Sequence, residues 1–480
     1  MRKTKIVVTL GPATETEEMI RGLIEAGADA LRFNFSHGDA DWKTQLFHRS
    51  KKVVAESGRT VAFIQDLQGP KVRVGAIPST GMLLETGGHV TISSRQDVKS
   101  GIIIPVRYSN LEREVTPGEI ILMDDGKLRL EAVSLQREGI VCRVLEGGVL
   151  LPNKGVNFPH TKLSLPGLTD KDIDDLELGM QLGFDAVALS FVSSGRDVER
   201  LREQMQKIGV VKPIIAKLER AACVNELHGI LDVSDAVMVA RGDLGVEVDI
   251  KRVPALQKEI IKEANRKGIP VITATQMLES MTNALLPTRA EAADVANAVF
   301  DGTDALMLSG ETSIGKYPIE AVKMMRDIAV EAESYEYENV CDLWTRLDLT
   351  GHSITEALCH TAVVAAHDMI LRTIIAVTGS GRTARQIARY RPGADVYAFT
   401  FDESSRNFMA ISRGIHPHLA EHMDDFDRLM DYVDEYVIRN GIGAKGELVA
   451  IAMGWPIGTG DTTNMMTIHR IGEYEPPNRG

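Results

Sequence analysis

The run "PIIAKLER" (213–220) ends an apolar stretch with a lysine and, two positions on, a glutamate. Side chains alternate along a strand, so Lys217 and Glu219 share a face. Buried charges are costly unless paired or bound to an ion. That face therefore holds either an ion pair or a ligand. A second carboxylate, Asp243, follows another apolar run in "DAVMVARGDLG" (235–245). Two carboxylates with room for water suit a hard divalent cation such as Mg2+, which takes few protein ligands and completes its shell with phosphate oxygens. The competing reading is a plain ionic network, because Lys217, Arg220 and Arg241 are close in sequence. In "LRFNFSHG" (31–38), Arg32, Asn34 and Ser36 alternate with Leu31, Phe33 and Phe35. A strand covered on both sides needs a ligand or partners for such a polar row. His37, between strand and glycine, reads equally as a turn residue. A metal with Lys217, Arg32 and Arg73 concentrates positive charge in one pocket of an acidic protein. Such a pocket suits a substrate with phosphate and carboxylate groups, since phosphoryl transfer needs mainly positioning and charge neutralisation.

The elements that must carry these residues recur regularly. Apolar, β-branched runs at 5–10, 29–35, 61–67, 185–191, 213–219, 235–241, 270–276 and 304–310 alternate with amphipathic stretches, the pattern of βα units on a parallel sheet. "TETE" from Thr14 and "TDKD" from Thr169 read as helix N-cap boxes. Eight such strands predict a closed (β/α)8 barrel, and 1–70 with 167–340 make up the ~250 residues expected of one. Between them, 71–166 carries short β-like pieces and the turn signals "TPGE", "DDGK" and "REGI", predicting a small all-β insert. From about 341 a further α/β layer begins. Chemistry in such barrels gathers at the carboxyl ends of the strands. Seven of the eight ends here are rich in polar residues and glycine, although "RGDLG" alone is more often a turn than a site.

A net charge of −13 argues against nucleic acid or an anionic membrane as the main partner. No apolar stretch approaches the ~18 residues of a membrane span, and the basic start "MRKTK" leads into too short an apolar run for a secretory leader. Cys142, Cys223, Cys341 and Cys359 lack metal or disulfide spacing and fit reduced thiols in the cytoplasm. "VTGSGRTARQ" (377–386) fits G-x-G-x-x-A, with Asp402 at a spacing that suits a ribose, but no hydride-transfer chemistry accompanies it.

With these motifs together, the chain resembles the pyruvate kinase family along its whole length. "KIVVTLGPAT", "RFNFSHG", "DLQGPKVR", "NKGVNFP", "IIAKLE", "MVARGDLGVE", "ITATQMLESM", "PTRAEAADVANAVFDGTDALMLSGET" and "GKYP" occur in the family's order. The resemblance implies a (β/α)8 TIM-barrel catalytic A domain (1–70 and 167–340), an inserted small β-barrel lid, or B domain (71–166), and a C-terminal α/β C domain (341–480). It also implies a homotetramer and the reaction phosphoenolpyruvate + ADP → pyruvate + ATP with Mg2+ (or Mn2+), the last step of glycolysis.

Position by position, Arg32 is similar to the family's substrate-phosphate arginine. Lys217 matches the lysine that stabilises the moving phosphoryl group and the developing enolate. Glu219 and Asp243 match the metal ligands. Gly242, with Asp243, matches the backbone that meets the substrate carboxylate, and Thr275 the threonine near the carbon that is protonated. Ser309 and Glu311 match supporting polar groups. Arg73 and Lys154 resemble residues holding nucleotide phosphates, and Pro12, His37 and Trp42 lie where nucleotide-side contacts occur. Many members bind K+ at positions matching Asn34, Ser36, Asp66, an adjacent threonine and a nearby glutamate. Here those last two positions are Leu67 and Lys71. A tethered ammonium in place of a carboxylate predicts an enzyme that does not require K+. In the C domain, the resemblance makes Thr378, Ser380, Arg382 and Thr383 a loop for a sugar-phosphate or nucleotide effector, the alternative being a plain structural turn. Two other classes compete: a metal-dependent pyruvate or phosphoenolpyruvate aldolase, and a catalytically silent metabolite sensor.

Overall fold

The computed structural model describes residues 2–95, 103–159, 161, 163–165, 167–339, 353–423, 425–457 and 462–474. The eight expected runs form a closed parallel barrel: Lys5–Leu10, Ala30–Asn34, Ala62–Asp66, Ala186–Leu189, Ile214–Leu218, Ala236–Ala240, Val271–Ala274 and Ala305–Leu308. They follow chain order round the ring, and the first pairs with the last. Alternation along each strand sorts two cores. Outward residues such as Phe33, Phe35, Phe63 and Leu306 pack with the helices. Inward residues are mostly small: Ala30, Ala62, Ala186, Ala188, Ala236 and Ala305 fill the lower barrel with Ile64, Ile215 and Met238.

Each inward row changes character as it climbs. Ala30 is followed by Arg32 and Asn34, Ile64 by Asp66, Ala188 by Ser190, and Ile215 by Lys217 and Glu219. An apolar lower layer thus supports a polar rim at the carboxyl ends. Sequence motif and rim coincide.

Helix starts follow the capping pattern with one correction. Thr169 forms a full box with Asp172. Thr14, expected to cap the first helix, does not. That helix, Glu17–Ala26, is capped by Thr16, whose hydroxyl accepts from the Met19 N–H. Thr14 is buried, and its hydroxyl donates to the Thr312 carbonyl and accepts from the Gly11 amide. It ties the loops above the first and eighth strands, a task that needs it inside.

The insert is built of β-strands, as expected, with one short helix, Leu111–Glu114, that the sequence reading did not include. Val156–Asn157, Ile120–Met123, Leu128–Gln136, Gly139–Glu146, His89–Ser93 and Ile103–Pro105 form one sheet, with Met82–Leu84 and Gly148–Leu150 as a separate ribbon. The "DDGK" signal makes a hairpin in which Asp124, Asp125 and Gly126 all have positive φ, a conformation that Asp and Gly tolerate best. Arg73 on the way in pairs with Gly155 on the way out.

The C-terminal layer is a five-stranded sheet in the order Ile415–Leu419, Asp395–Thr400, Thr373–Val377, Leu448–Met453, Met465–Arg470, with the last strand antiparallel. The expected boundary at 340/341 lies outside the described residues, as does Cys341. Helix Glu403–Met409 does something the sequence did not announce. Phe408, with Ala410 and Ile411 just beyond it, joins the inward cluster of the barrel and closes its floor. Asn407 donates to Asp185 at 2.9 Å, and the Lys5 ammonium reaches the Ile415 carbonyl at 2.8 Å. No helix among the described residues is long and apolar enough to cross a membrane.

Because Phe408 is buried in the barrel's own core, Phe408→Ala should cost about 3–5 kcal/mol of stability. A denaturant titration checks this. The expected result is an earlier midpoint for barrel and C-terminal layer together; an unmoved barrel transition would contradict it.

Candidate active site

Four charged residues on the rim form one connected network. The Arg32 guanidinium donates to Asp66 Oδ2 at 2.6 Å and to Thr9 Oγ1 at 2.8 Å. The Lys217 ammonium lies 3.3 Å from Asp66 Oδ1 and donates to Ser190 Oγ at 2.7 Å. It also lies 3.6 Å from Glu219 Oε2. Lys217 and Glu219 do share a face. Burial alone would push the Asp66 carboxyl up, but the Arg32 and Lys217 charges outweigh it and hold the group below the ordinary carboxylate range. Burial likewise works against the Lys217 charge, and Asp66 and Glu219 overcome it, raising its pKa. For Glu219 burial wins: its carboxyl is pushed up to about 7 despite Lys217.

The loops above the sixth to eighth strands form the opposite wall. Asp243 sits in the first turn of helix Arg241–Glu247. The Gly242 amide donates to the Thr275 hydroxyl at 2.8 Å, which itself donates to the Ala274 carbonyl at 2.6 Å. Glu311 is buried and joins two loops, since its oxygens accept from the Leu278 and Ser309 amides at 3.0 and 2.8 Å. Burial raises its pKa. The Ser309 hydroxyl is buried with no hydrogen-bond partner. Gly242 and Thr275 are thus joined by one hydrogen bond and Ser309 and Glu311 by another, while Asp243 is placed by its helix.

The remaining expected residues divide. Asn34 and Ser36 lie together, the Asn34 side chain accepting from the Ser36 amide at 3.0 Å. Leu67 faces away from the rim into the core beside Leu176 and Leu189. Lys71 reaches Asp243 at 3.1 Å, and a Cβ on Gly155 would come within 2.9 Å of its Cε, so the lysine stem lies against the lid's exit strand. Arg73 donates to the Asn153 carbonyl at 3.0 Å. Lys154 is held within the insert by Asp124 at 2.7 Å. His37 and Pro12 are exposed. Although His37 is exposed as a residue, partial desolvation of its imidazole, and then the Arg73 and Arg32 charges, lower its pKa. The Trp42 indole donates to Glu15 at 2.7 Å and packs on the core. In the C-terminal layer, Thr378, Ser380, Arg382 and Thr383 share one turn, with Arg382 exposed and the Thr383 hydroxyl 2.8 Å from that of Thr463. Asp402 caps helix Glu403–Met409 through the Ser405 amide, which accounts for it without a ribose.

Sequence reasoning missed Thr9, Ser190 and Phe191. The first two sit on inward rows and were readable from the alternation that exposed Arg32. Phe191 was not: its φ of 60° turns the N–H onto Glu219 Oε1 at 2.6 Å.

Does a divalent cation fit? Glu219 Oε2 is buried with no hydrogen-bond partner, and the half-exposed Asp243 follows the strand paired with its own. No group of three or more metal-ligating side chains occurs among the described residues. Two carboxylates with other positions left to ligand oxygens and water suit Mg2+. The donor set fits.

A closed α/β barrel whose mouth gathers Arg32, Lys217, Glu219 and Asp243 beneath a β insert is the scaffold of a phosphotransferase, with fixed charge in place of a covalent nucleophile. The chain matches the family described as "Pyruvate kinase, barrel domain" over residues 1–322 and "Pyruvate kinase, alpha/beta domain" over 356–469. Proteins named pyruvate kinase from Staphylococcus saprophyticus and Geobacillus stearothermophilus are 42% and 41% identical, over 98% and 100% of this chain and 81% and 82% of theirs. One from Mycobacterium tuberculosis is 40% identical over 98% of this chain and 99% of its own. A crystal structure of a pyruvate kinase from Cryptosporidium parvum superposes with a TM-score of 0.92 at 32% identity, covering 98% of this chain and 96% of that one. The chain belongs to the pyruvate kinase family. It is a phosphotransferase, and the aldolase reading has no support among these relatives.

Asp66 is the common counter-charge of Arg32 and Lys217, so Asp66→Asn should destabilise the fold by about 3–5 kcal/mol. The folded carboxyl is held below its unfolded value. Its stabilisation is therefore present above the unfolded pKa of about 4 and lost as pH falls through the folded one. Denaturant titrations of parent and variant at neutral pH check the loss; equal stability would show that the cations are balanced elsewhere.

Proposed function

We propose that Arg32, Lys217, Glu219, Asp243 and Thr275 carry the transfer of the phosphoryl group from phosphoenolpyruvate to ADP. The observation that supports this best is the buried network in which Lys217 stays charged while Glu219 keeps one oxygen without a hydrogen-bond partner. Arg32 spends two nitrogens on Asp66 and Thr9, which leaves Nη2 for a substrate phosphate oxygen. Lys217, locked by Asp66 and Ser190, offers its ammonium to the moving phosphoryl group and to the enolate oxygen left behind. Mg2+ (or Mn2+), held by Glu219 and Asp243, would supply charge neutralisation at the phosphate and carboxylate oxygens when bound. Gly242 orients the substrate carboxylate, and the Thr275 hydroxyl lies on the side where the enolate carbon gains its proton to give pyruvate. Ser309 and Glu311 hold that wall in place. Arg73 and Lys154 take the nucleotide phosphates when the lid closes, with Pro12, His37 and Trp42 along the nucleotide side.

The same reading includes no K+ requirement, because Leu67 contributes no oxygen and Lys71 brings a tethered ammonium. It also includes a cytoplasmic homotetramer, and an effector phosphate at Thr378, Ser380, Arg382 and Thr383.

Lys217→Met should lower kcat by at least ~1000-fold, or roughly 4 kcal/mol of transition-state stabilisation at ~1.4 kcal/mol per decade, with the circular-dichroism spectrum unchanged. A kcat near the parent's would remove Lys217 from the mechanism. The coupled assay of pyruvate formation from phosphoenolpyruvate and ADP should run undiminished without potassium or ammonium ions. Strict loss of activity, restored by K+, would reverse that assignment. A sugar-phosphate panel in the same assay, with Arg382→Ala as control, tests the effector loop.

A further inference from the structure

Thr275 and Gln276 have φ of 68° and 56°, the left-handed region that a β-branched residue strongly avoids. Two such residues in succession persist only where their surroundings over-determine them. The turn has a clear purpose. It drops Met277 and Leu278 into the core, both fully buried, while the Thr275 hydroxyl stays level with the Gly242 amide.

One side chain grips this turn. Arg241 is buried, and its guanidinium donates through Nη2 to the Thr275 carbonyl at 2.8 Å and the Gln276 carbonyl at 3.3 Å. Nε adds a second contact to the Thr275 carbonyl at 3.3 Å. The far nitrogen, Nη1, is anchored to Asp294 at 2.7 Å and to Gln257 at 3.5 Å, on helices Arg289–Phe300 and Val253–Lys267. The next residue, Gly242, binds the Thr275 hydroxyl through its amide, and a Cβ there would lie 3.4 Å from that oxygen. Thr275 is thus held at carbonyl and hydroxyl by two consecutive residues of the segment that also carries Asp243. A lysine supplies a point charge and cannot span both anchors, because the planar fork is what bridges them.

We infer that Arg241 is a positioning residue: it locks the left-handed Thr275–Gln276 turn and so sets the Thr275 hydroxyl relative to Gly242 and Asp243. This rests on the assignment of Thr275 to the substrate side. Arg241 touches no reacting atom and acts through Thr275.

The test is a double-mutant cycle with a rescue. Arg241→Met should lower kcat roughly tenfold to hundredfold, with KM for ADP within about twofold of the parent's. Combined with Thr275→Ala, it should add little to the loss that Thr275→Ala causes alone, the non-additivity of residues acting as a unit. Glycine adopts positive φ without penalty, so adding Gln276→Gly to Arg241→Met should recover at least a fivefold part of the loss, measured against Gln276→Gly alone. Where Arg241→Met does not fold, Arg241→Lys takes its place with the same cycle and rescue. Multiplying losses, or no rescue in a folded variant, overturn the inference while leaving the role of Thr275 intact. A fully active Thr275→Ala instead removes the Thr275 assignment, and the inference with it.

Discussion

The site depends on keeping charges alive in a dry place. Arg32 and Lys217 sit almost out of solvent, one inward step above an apolar layer, and Asp66, barely exposed itself, is the counter-charge they share. An isolated buried ammonium tends to surrender its proton; beside Asp66 and Glu219, Lys217 holds its proton more tightly than in water. Glu219 is the one member left frustrated, with its carboxyl raised and one oxygen unsatisfied. On the proposed reading, a divalent cation bound there would relieve that frustration.

Precision comes from backbone geometry more than from further charges. Phe191 takes a left-handed conformation to aim its amide at Glu219, and Arg241 holds the Thr275 turn in a similar conformation. Glu311 staples the loops above the seventh and eighth strands through two amides. These devices sit where loops leave a rigid barrel, so strain at each is braced by packed strands beneath it. The lid connects to this framework through Lys71, which lies between Gly155 of the exit strand and the Asp243 carboxylate.

The C-terminal layer is more than an appended module. By placing Phe408, Ala410 and Ile411 under the barrel it completes the apolar layer on which the charged rim rests. Ile215, in that layer, is two residues below Lys217, so the floor and the site share strands.

Much was legible in the chain alone, because barrel strands obey a period of two and end in polar motifs. The eight strands, the β insert, the final α/β layer, and the rim residues Arg32, Lys217, Glu219 and Asp243 all follow from alternation, turn chemistry and motif order. What alternation cannot convey is a partner distant in sequence. Thr14 reads locally as a cap, yet burial commits it to Thr312; Lys71 reads as a neighbour of Asp66, yet its ammonium reaches Asp243; Phe408 reads as a helix residue of a separate layer, yet it plugs the barrel. The left-handed turns at Phe191 and Thr275 carry no glycine to signal them. Local sequence thus determined which elements form and which faces they bury, since those preferences act over a few residues. Only the tertiary structure decided which charges meet, because pairing is settled by where the closed barrel brings strand ends together.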